Sequence, residues 1–408
     1  MALGDARRLV LERVRPLGAE PVPLGEALGR ILAVDVESAD PVPGFDNSSM
    51  DGFAVRAEDT RGAASGVPVT LTVAAESRAG RPARSPLRRG QAIGISTGAV
   101  IPDGADSVVR VEETSVRDGR VQIEVEVKQG TNVRHAGDDI EPGATVLRRG
   151  VRLGAAELGV LASVGIGTVS CARRPQLAVL TTGDELLEPD DPPQPGGVRN
   201  SNAYTIPALA LSAGAEVIAR ETVRDDPEST RAAIARSLDS ELVVICGGVS
   251  VGEHDHVKAA LASLGVDQIF WRVALKPGKP TWFGVAPGGT LVFGLPGNPV
   301  SAMVTFLLFV RPAILALLGV GARAGRTSAI LDEDLPAAPG RDHAVRCSLE
   351  LREDGWHARP TGNQDSHVLT SMLGADALAI VSADSDGPVA GSRIEVELLP
   401  DVGPVASP

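Results

Sequence analysis

The sequence predicts a multidomain fold in which a doubly wound α/β domain is combined with β-rich domains. The chain has 408 residues, which is too long for one ordinary hydrophobic core. Strand, loop and helix patterns alternate from about residue 173 to residue 320, as is typical of a parallel sheet covered by helices on both faces. Short alternating strands separated by glycine and proline turns fill residues 41–140 and return in residues 327–402.

The charge and the cysteines exclude several classes of protein. A formal net charge of −13 at pH 7 argues against a general nucleic-acid-binding surface, although a few local cations can still make one pocket attractive to an anion. Cys171, Cys246 and Cys347 lie far apart, so they form neither a Cys-x-x-Cys pair nor a Cys/His cluster with zinc-finger spacing. Separate thiols of this kind are typical of a reducing, cytosolic compartment.

Neither the N-terminal residues nor the most apolar run indicates membrane targeting. Asp5 and Arg7 interrupt the N-terminal stretch, which therefore differs from a signal peptide. The most apolar run covers residues 300–320 and contains Arg311 and Pro312 near its middle. We therefore expect a buried core helix there.

Three apolar runs in the α/β region each end in a polar, glycine-containing loop. In doubly wound sheets, ligands bind beyond the carboxyl ends of the strands, where small residues let the backbone approach and N–H groups at helix starts bind phosphate. A single loop of this kind is more often an ordinary strand–helix turn, but three at consecutive strand ends predict a shared pocket. The runs and their loops are 177–180 with Thr181-Thr182-Gly183-Asp184-Glu185, 242–245 with Cys246-Gly247-Gly248-Val249-Ser250, and 291–293 with Gly294-Leu295-Pro296-Gly297-Asn298-Pro299.

A compact cationic turn follows later in the α/β region, at Lys276-Pro277-Gly278-Lys279-Pro280. Its two prolines fix the backbone and its glycine relieves it, so both ammonium groups can point at one multiply charged anion. The alternative is a solvated surface loop, because lysines are usually exposed. The stiffness of the turn favours the anion site.

Acidic side chains are concentrated in three further segments. Residues 45–55 enter a strand, and a functional loop and a turn held by side-chain caps explain them equally well. The turns at 137–139 and 252–256 add further acids. His254 and His256 fit exposed histidines at a helix start better than a metal site, while Mg²⁺ held by carboxylates and substrate oxygens is the alternative.

Five motifs occur in order along the chain and together resemble one family. The combination closely resembles the molybdopterin molybdenumtransferases, which include the E-domain of gephyrin, and the likeness runs through essentially the whole chain. The Gly-Gly-Val-Ser part alone is less specific, because it also resembles the adenylyltransferases that make this family's substrate. The motifs are Asp46-Asn47-Ser48-Ser49-Met50-Asp51-Gly52, Ser96-Thr97-Gly98-Ala99, Thr182-Gly183-Asp184-Glu185-Leu186, Gly247-Gly248-Val249-Ser250-Val251-Gly252-Glu253 and Leu295-Pro296-Gly297-Asn298-Pro299-Val300-Ser301.

The resemblance implies a four-domain subunit in a homodimer, with an active cleft between the α/β domain of one subunit and the β-rich domain of the other. The domains would be a molybdopterin-binding α/β domain, a linking domain, a β-rich insertion domain and a C-terminal β-barrel. Their expected bounds are 1–22 with 173–320, 23–40 with 140–172, 41–139, and 327–402, respectively.

The resemblance also implies the reaction. This family takes adenylated molybdopterin and molybdate, releases AMP and yields the molybdenum cofactor, and Mg²⁺ is the expected metal. The expected location is the cytoplasm. The expected protein partners are the molybdopterin adenylyltransferase and the apo-molybdoenzymes, with neither nucleic acid nor membrane among the partners.

Candidate site residues are carried over from the family motifs, position by position. The expected catalytic residues are Asp51, Thr97, Asp139, Glu185, Asp226 and Asp255, with Glu185 and Asp226 also as Mg²⁺ ligands. The expected substrate-binding residues are Arg134, Thr182, Gly183, Asn202, Gly247, Gly248, Ser250, Pro296 and Pro299. The expected molybdate-binding residues are Lys276, Lys279, Ser301, Arg346 and Ser366. Molybdate is a dianion, so these cations would offset its charge while the serines donate hydrogen bonds.

A few positions depart from the family pattern. Cys246 stands where a serine or threonine is common, which puts a hydroxyl contact there in question. His254 and His256 flank Asp255 where the family varies, and Asp376 replaces a usual asparagine. None of these changes removes a proposed catalytic group.

Three alternative functions compete with the one that the resemblance implies. A molybdopterin adenylyltransferase needs only the α/β domain, whereas this chain carries more domains and a cation cluster. A non-catalytic cofactor carrier or scaffold would be favoured by loss of the acids or lysines, and both are present. A tungstate-inserting paralogue keeps the same chemistry, because the two oxyanions are nearly equal in size and charge.

Overall fold

The computed structural model describes residues 1–249, 256–321 and 325–399, and the chain divides into two compact units. The larger unit contains residues 1–21, 29–33 and the chain from Ser170 onward. The smaller unit contains residues 22–28 and 34–169. Ser250 and Asp255, two of the expected site residues, lie outside the described residues, as do His254 and most of the acidic turn at 252–256.

A six-stranded sheet forms the centre of the larger unit. Its first four strands are parallel, as expected for a doubly wound domain, and its last two form an antiparallel edge. The antiparallel edge arises because only residues 272–281 join Trp271 to Trp282, which is too short for the helical crossover that a parallel pair needs. In spatial order the strands are Glu216–Val223, Gln176–Thr182, Leu242–Cys246, Leu291–Leu295, Trp282–Val285 and Asp267–Trp271.

Both faces of this sheet are buried, which confirms the doubly wound prediction. Along the central strand, Val244 packs into one hydrophobic cluster while Val243 and Ile245 pack into the cluster on the opposite face. Successive strand residues point to opposite faces, so a sheet with two apolar faces must be covered on both. The covering helices are Leu3–Arg13, Asn202–Ser212, Pro227–Ser237, His256–Ser263, Pro299–Thr305 and Arg311–Leu317.

One helical stretch, Pro299–Leu317, is long and apolar enough to cross a membrane by length and composition. It has 19 residues and a mean hydropathy of 2.1, and it continues through a π-helical turn at Phe306–Val310. Since 72% of it is buried and its side chains belong to the main cluster of the larger unit, it is the core helix that the sequence predicted.

The C-terminal part of the larger unit is a closed five-stranded barrel. Closure occurs because Asp342–Arg352 pairs with both Gly355–Pro360 and Ala377–Val381. A short strand, Leu275–Lys276, joins this barrel by pairing in parallel with Asp342 and His343. The barrel strands are Arg326–Leu331, Asp342–Arg352, Gly355–Pro360, Ala377–Val381 and Arg393–Leu398.

The smaller unit is built on a second six-stranded sheet with one helix, Ala155–Ser163. Residues 121–127 alternate between apolar and polar side chains, a pattern that predicts a strand, but the strand ends at Ile123. Beyond it the backbone leaves the ladder, but Val127 still packs into the same core and its N–H donates to Thr60 Oγ1. In spatial order the strands are Ser107–Arg110, Gly52–Val55, Gln91–Ile95, Val69–Ser77, Arg120–Ile123 and Thr114–Arg117. Short strands pair Val36–Glu37 with Thr145–Leu147 and Asn47–Ser48 with Val133–Arg134.

Candidate functional site

The loops that follow the first two central strands touch each other through glycine. Gly247 has φ +97°, and a Cβ at this position would lie 2.8 Å from the carbonyl oxygen and 2.9 Å from the Oγ1 atom of Thr182. At Gly248, a Cβ would lie 2.5 Å from a side-chain carbon of Val257. Only glycine fits the approach of position 247 to Thr182, and Gly248 lets the same loop pack against the helix that contains Val257.

The third strand-end loop joins the same place. Asn202 begins the helix Asn202–Ser212, and its Nδ2 atom donates a hydrogen bond of 2.8 Å to the carbonyl oxygen of Gly297. A Cβ on Gly297 would lie 3.9 Å from the Cα of Gly247. The structure therefore brings the three strand-end loops into contact at Thr182, Gly247 and Gly297.

A buried asparagine that sequence reasoning missed supports this arrangement. Asn200 is 4% exposed and donates hydrogen bonds of 2.8 Å to Thr181 Oγ1 and 3.0 Å to Thr222 Oγ1. Its Oδ1 atom accepts from the N–H of Ala203. These bonds fix the start of the helix that carries Asn202. The signal in the sequence was Asn200-Ser201-Asn202, a polar stretch of the kind that begins helices.

The two expected metal-binding acids of the larger unit differ in their surroundings. Glu185 is exposed beside Gly183. Asp226 caps the helix Pro227–Ser237, because its Oδ1 accepts a 2.8 Å hydrogen bond from the N–H of Ser229. That backbone hydrogen bond is the main reason why the pKa of Asp226 lies below its usual value. The cap gives Asp226 a structural role that the sequence did not reveal.

The described ranges 1–249, 256–321 and 325–399 offer few side chains that could bind Mg²⁺ together. These ranges contain no group of three or more His, Cys, Asp or Glu side chains placed to hold a metal ion. Mg²⁺ usually keeps several waters and takes one or two carboxylates together with substrate phosphates. An Mg²⁺ ion bound by these acids would therefore need substrate oxygens to complete its ligands.

An open groove of about 300 Å³ contains most of the expected molybdate-binding residues. Lys276, Lys279, Ser301 and Ser366 all line it. Asn298 closes one side by donating a 3.2 Å hydrogen bond to Ser366 Oγ. The groove adjoins the strand-end loops, since its remaining lining includes a residue of the third loop. That remaining lining is Leu275, Pro277, Gly278, Pro280, Pro296, Arg341, Gln364 and Asp365.

The cationic turn is held rigidly against the core helix. Gly278 is buried with φ +121°, and a Cβ there would lie 2.5 Å from the Cγ2 atom of Thr305. Its carbonyl oxygen accepts a 2.6 Å hydrogen bond from the hydroxyl of Thr281, while Lys279 accepts one of 3.0 Å from the N–H of Val273. The turn is thus fixed from below, and Lys279 itself is exposed.

Arg346, the fifth expected molybdate-binding residue, lies below the groove surface and is not part of the groove lining. It is 0% exposed, and its Nε and Nη2 atoms donate to the hydroxyl of Ser371 at 3.3 and 3.0 Å. Gln364, which lines the groove, accepts from the N–H of Arg346 at 2.9 Å. Burial lowers the pKa of Arg346 to about 10, and its Nη1 atom has no acceptor in the described part of the chain.

The expected site residues of the smaller unit cluster on three neighbouring loops. Thr97 donates to Asp51 Oδ1 from its N–H at 2.8 Å and from its hydroxyl at 3.2 Å. Arg134 lies on the short strand that pairs with Asn47, and Asp139 follows in an exposed turn. The side chains of Asp51, Thr97, Arg134 and Asp139 are all exposed.

The departures at Cys246 and Asp376 have structural explanations. Cys246 is 2% exposed and belongs to the main hydrophobic cluster, so its side chain packs in the core. Burial raises the pKa of this thiol to about 12. Asp376 accepts a 2.7 Å hydrogen bond from the N–H of Leu349, a bond that an asparagine oxygen can also accept.

Three family models match the chain, and together they span most of it. They describe the MoeA N-terminal region (domain I and II), a probable molybdopterin binding domain and the MoeA C-terminal region (domain IV). The matched residues are 1–165, 178–316 and 328–399, respectively.

Similar proteins and solved structures cover nearly the full length. The chain is 37% identical over 403 residues to a molybdopterin molybdenumtransferase of Haemophilus influenzae, covering 97% of this chain and 98% of that protein. It is 36% identical over 401 residues to molybdopterin molybdenumtransferase 2 of Mycobacterium tuberculosis, covering 96% and 98%. The crystal structure of a molybdopterin biosynthesis MoeA protein from Pyrococcus horikoshii superimposes with a TM-score of 0.83 at 34% identity, covering 98% and 99%. The chain therefore belongs to the MoeA family of molybdopterin molybdenumtransferases.

Proposed function

We propose that this protein inserts molybdate into the dithiolene of adenylated molybdopterin and releases AMP. The observation that carries the proposal is the groove in which Lys276, Lys279, Ser301 and Ser366 meet. Pro296 and Asn298 belong both to this groove and to a strand-end loop. An oxyanion in the groove would therefore lie beside a ligand bound at the strand ends.

The oxyanion binds through charge and hydrogen bonding in this account. Lys276 and Lys279 attract the dianion, and Ser301 and Ser366 donate hydrogen bonds to its oxygens. Arg346 supports the site from below, by holding Gln364 and by keeping a positive charge near the groove. Packing of Gly278 against the core helix fixes the backbone from which the two lysine side chains extend.

The adenylated pterin occupies the strand-end loops in this account. Thr182, Gly183, Gly247 and Gly248 would let the phosphates approach the backbone, and Asn202 would contact the pterin. Pro299 begins the adjacent helix, whose N-terminal N–H groups favour anionic groups. Ser250 would complete this set.

The acids take part in cleavage of the adenylate. Glu185, Asp226 and Asp255 would orient the phosphate and the attacking water. Bound Mg²⁺ would supply positive charge on the phosphate oxygens, with Glu185 and Asp226 as its protein ligands. Asp51, Thr97, Arg134 and Asp139 would approach the substrate from the smaller unit of a second subunit.

A homodimer is therefore part of the proposal, because each cleft needs residues from two subunits. Light scattering at micromolar concentration should give twice the 42.1 kDa mass of one chain. A species of monomer mass alone would contradict the shared cleft. We place the enzyme in the cytoplasm, where the adenylyltransferase would supply its substrate and apo-molybdoenzymes would take up its product.

The proposal is tested by incubating the purified protein with adenylated molybdopterin, Mg²⁺ and either molybdate or tungstate. We expect AMP release that depends on the oxyanion, together with metal bound to the pterin. Binding of the pterin without AMP release under any of these conditions would instead indicate a cofactor carrier. The tungstate arm distinguishes the two metals.

A further inference from the structure

Arg341 is a third cation in the lining of the oxyanion groove, beside the two lysines of the proposed molybdate site. It lines the groove together with Lys276 and Lys279. It lies in a tight turn after Gly340, where its N–H donates a 2.9 Å hydrogen bond to the carbonyl oxygen of Ala338. Its guanidinium has no hydrogen bond or ion pair with any residue that the structure describes.

The backbone holds this turn close to the cationic turn. Asp342, the next residue, pairs with Leu275 in a parallel ladder, and its N–H donates a 2.8 Å hydrogen bond to the carbonyl oxygen of Ala274. The carboxylate of Asp342 accepts a 2.9 Å hydrogen bond from the N–H of Ala383, which ties the same turn to the barrel. Arg341 is therefore placed by main-chain contacts on both sides.

The pKa of the neighbouring His343 is affected by the cations at this end of the barrel. His343 is 0% exposed, and burial lowers its pKa, with smaller contributions from the positive charges of Lys276, Arg346 and Arg341. All three cations therefore lie within electrostatic range of His343. A neutral His343 adds no further charge to the groove.

One carboxylate opposes these cations. Asp365 lines the groove, is exposed, and is held by a 2.8 Å hydrogen bond from its N–H to Asn363 Oδ1. Lys276, Lys279 and Arg341 therefore leave two net positive charges in the lining. A lining with net positive charge attracts a doubly charged oxyanion more strongly than a singly charged one.

We propose that Arg341 binds the oxyanion directly and that its charge makes the groove prefer dianions over monoanions of the same shape. This inference rests on the proposed oxyanion site and extends it to specificity. The guanidinium would contact two oxygens of one tetrahedral anion, a geometry that lysine cannot supply.

The test compares molybdate with perrhenate, a tetrahedral oxyanion of similar size that carries one charge. Binding is measured by equilibrium dialysis of the full-length protein without pterin, at one fixed low ionic strength. Arg341→Gln should weaken molybdate binding roughly tenfold, the loss expected for one charged hydrogen bond. Perrhenate binding should weaken only about threefold, because the Coulomb energy scales with the charge of the anion.

Two further variants test the charge balance. Arg341→Lys keeps the charge and should restore the preference for molybdate over perrhenate, with affinity within about threefold of the parent. Asp365→Asn keeps the backbone hydrogen bond and removes the negative charge, so it should strengthen binding of both anions, and that of molybdate more than that of perrhenate. Arg393→Gln changes the same charge on an exposed barrel position outside the groove, and it should leave both affinities unchanged.

The inference is overturned if Arg341→Gln leaves the ratio of the two affinities unchanged, or if the parent protein binds no molybdate. Its failure is distinguishable from failure of the proposed function, since AMP release is measured separately. Normal AMP release by the parent, together with an unchanged affinity ratio in Arg341→Gln, would contradict only the role of Arg341. A changed ratio in a protein that never releases AMP would support Arg341 and contradict the transferase activity.

Discussion

The Oδ1 atom of Asp51 accepts two hydrogen bonds from Thr97, one from the backbone N–H at 2.8 Å and one from the hydroxyl at 3.2 Å. Two loops of the smaller unit are joined by this carboxylate. Gly52 follows Asp51 directly. A Cβ at position 52 would lie 1.9 Å from the carbonyl oxygen of Val109, so only glycine allows the backbone conformation found after Asp51. The other carboxylate oxygen is available to a ligand at the exposed surface.

We predict that Asp51→Asn loses AMP release while it keeps the fold, because the amide oxygen can still accept from Thr97 but the charge is gone. Asp51→Ala should lose turnover as well, and also about 0.5–1.5 kcal/mol of stability from the missing hydrogen bonds. Rates of AMP release and urea unfolding curves measure both effects. If Asp51→Asn retains parental turnover, Asp51 is only a tie between loops.

Asp226 offers a similar separation of structural and catalytic roles. Asparagine is as good a helix N-cap as aspartate, whereas alanine is a poor one. We therefore predict that Asp226→Ala lowers the melting temperature and that Asp226→Asn does not. If Asp226 also holds Mg²⁺, Asp226→Asn should raise the Mg²⁺ concentration needed for half-maximal AMP release. An unchanged Mg²⁺ dependence in that variant would leave Asp226 as a helix cap alone.

Much of this arrangement could be predicted from local sequence. The three strand-end loops were identifiable because each buried strand is followed by glycines and polar residues, and the parallel sheet places such loops side by side. The lysine turn was identifiable because prolines stiffen it. The burial of Arg346 could not be predicted. Alternation along a strand shows which residues share a face, but it does not show which later segment covers that face. Here residues 363–371 cover Arg346.

Arg341 and the cap at Asp226 were missed for a related reason. A single arginine after a Pro-Gly pair resembles any surface turn, and only the pairing of Leu275 with Asp342 brings it to the groove. Asp226 is followed by Pro227, and an aspartate before a proline often begins a helix. The acidic side chain of Asp226 also suited a metal ligand, and only catalytic and metal-binding roles were expected of it from the sequence. The antiparallel edge of the larger sheet was not predicted, because the sequence pattern did not show that residues 272–281 turn the chain back on itself.

A histidine in the barrel predicts a pH dependence of stability. His357 contacts Asp332 at 2.8 Å and Asp354 at 2.9 Å, and these hydrogen bonds raise its pKa. Hydrogen bonding to His357 is also the main reason why the pKa values of both carboxyls are lowered. Arg352, which binds Asp332, completes the cluster.

The sign of the effect follows from these directions. Stability from the raised pKa of His357 is fully present below the unfolded value of about 6.5 and is lost as the pH rises through the folded pKa. Stability from the two carboxyls is lost as the pH falls through their lowered folded pKa values. We predict that His357→Gln loses most stability in mildly acidic buffer and least above neutrality. Melting curves that shift equally at every pH would contradict this.

Binding of molybdate in the lysine groove is tested most directly by the molybdate dependence of AMP release, measured for the parent and for Lys279→Ala. Lys279 is exposed, so its removal should leave the fold and the binding of adenylated molybdopterin intact. Loss of one charged hydrogen bond, about 1.5–3 kcal/mol, should raise the molybdate concentration for half-maximal release roughly tenfold to a hundredfold. Superimposable curves for the two proteins would show that the lysine turn is a solvated loop and that molybdate binds elsewhere.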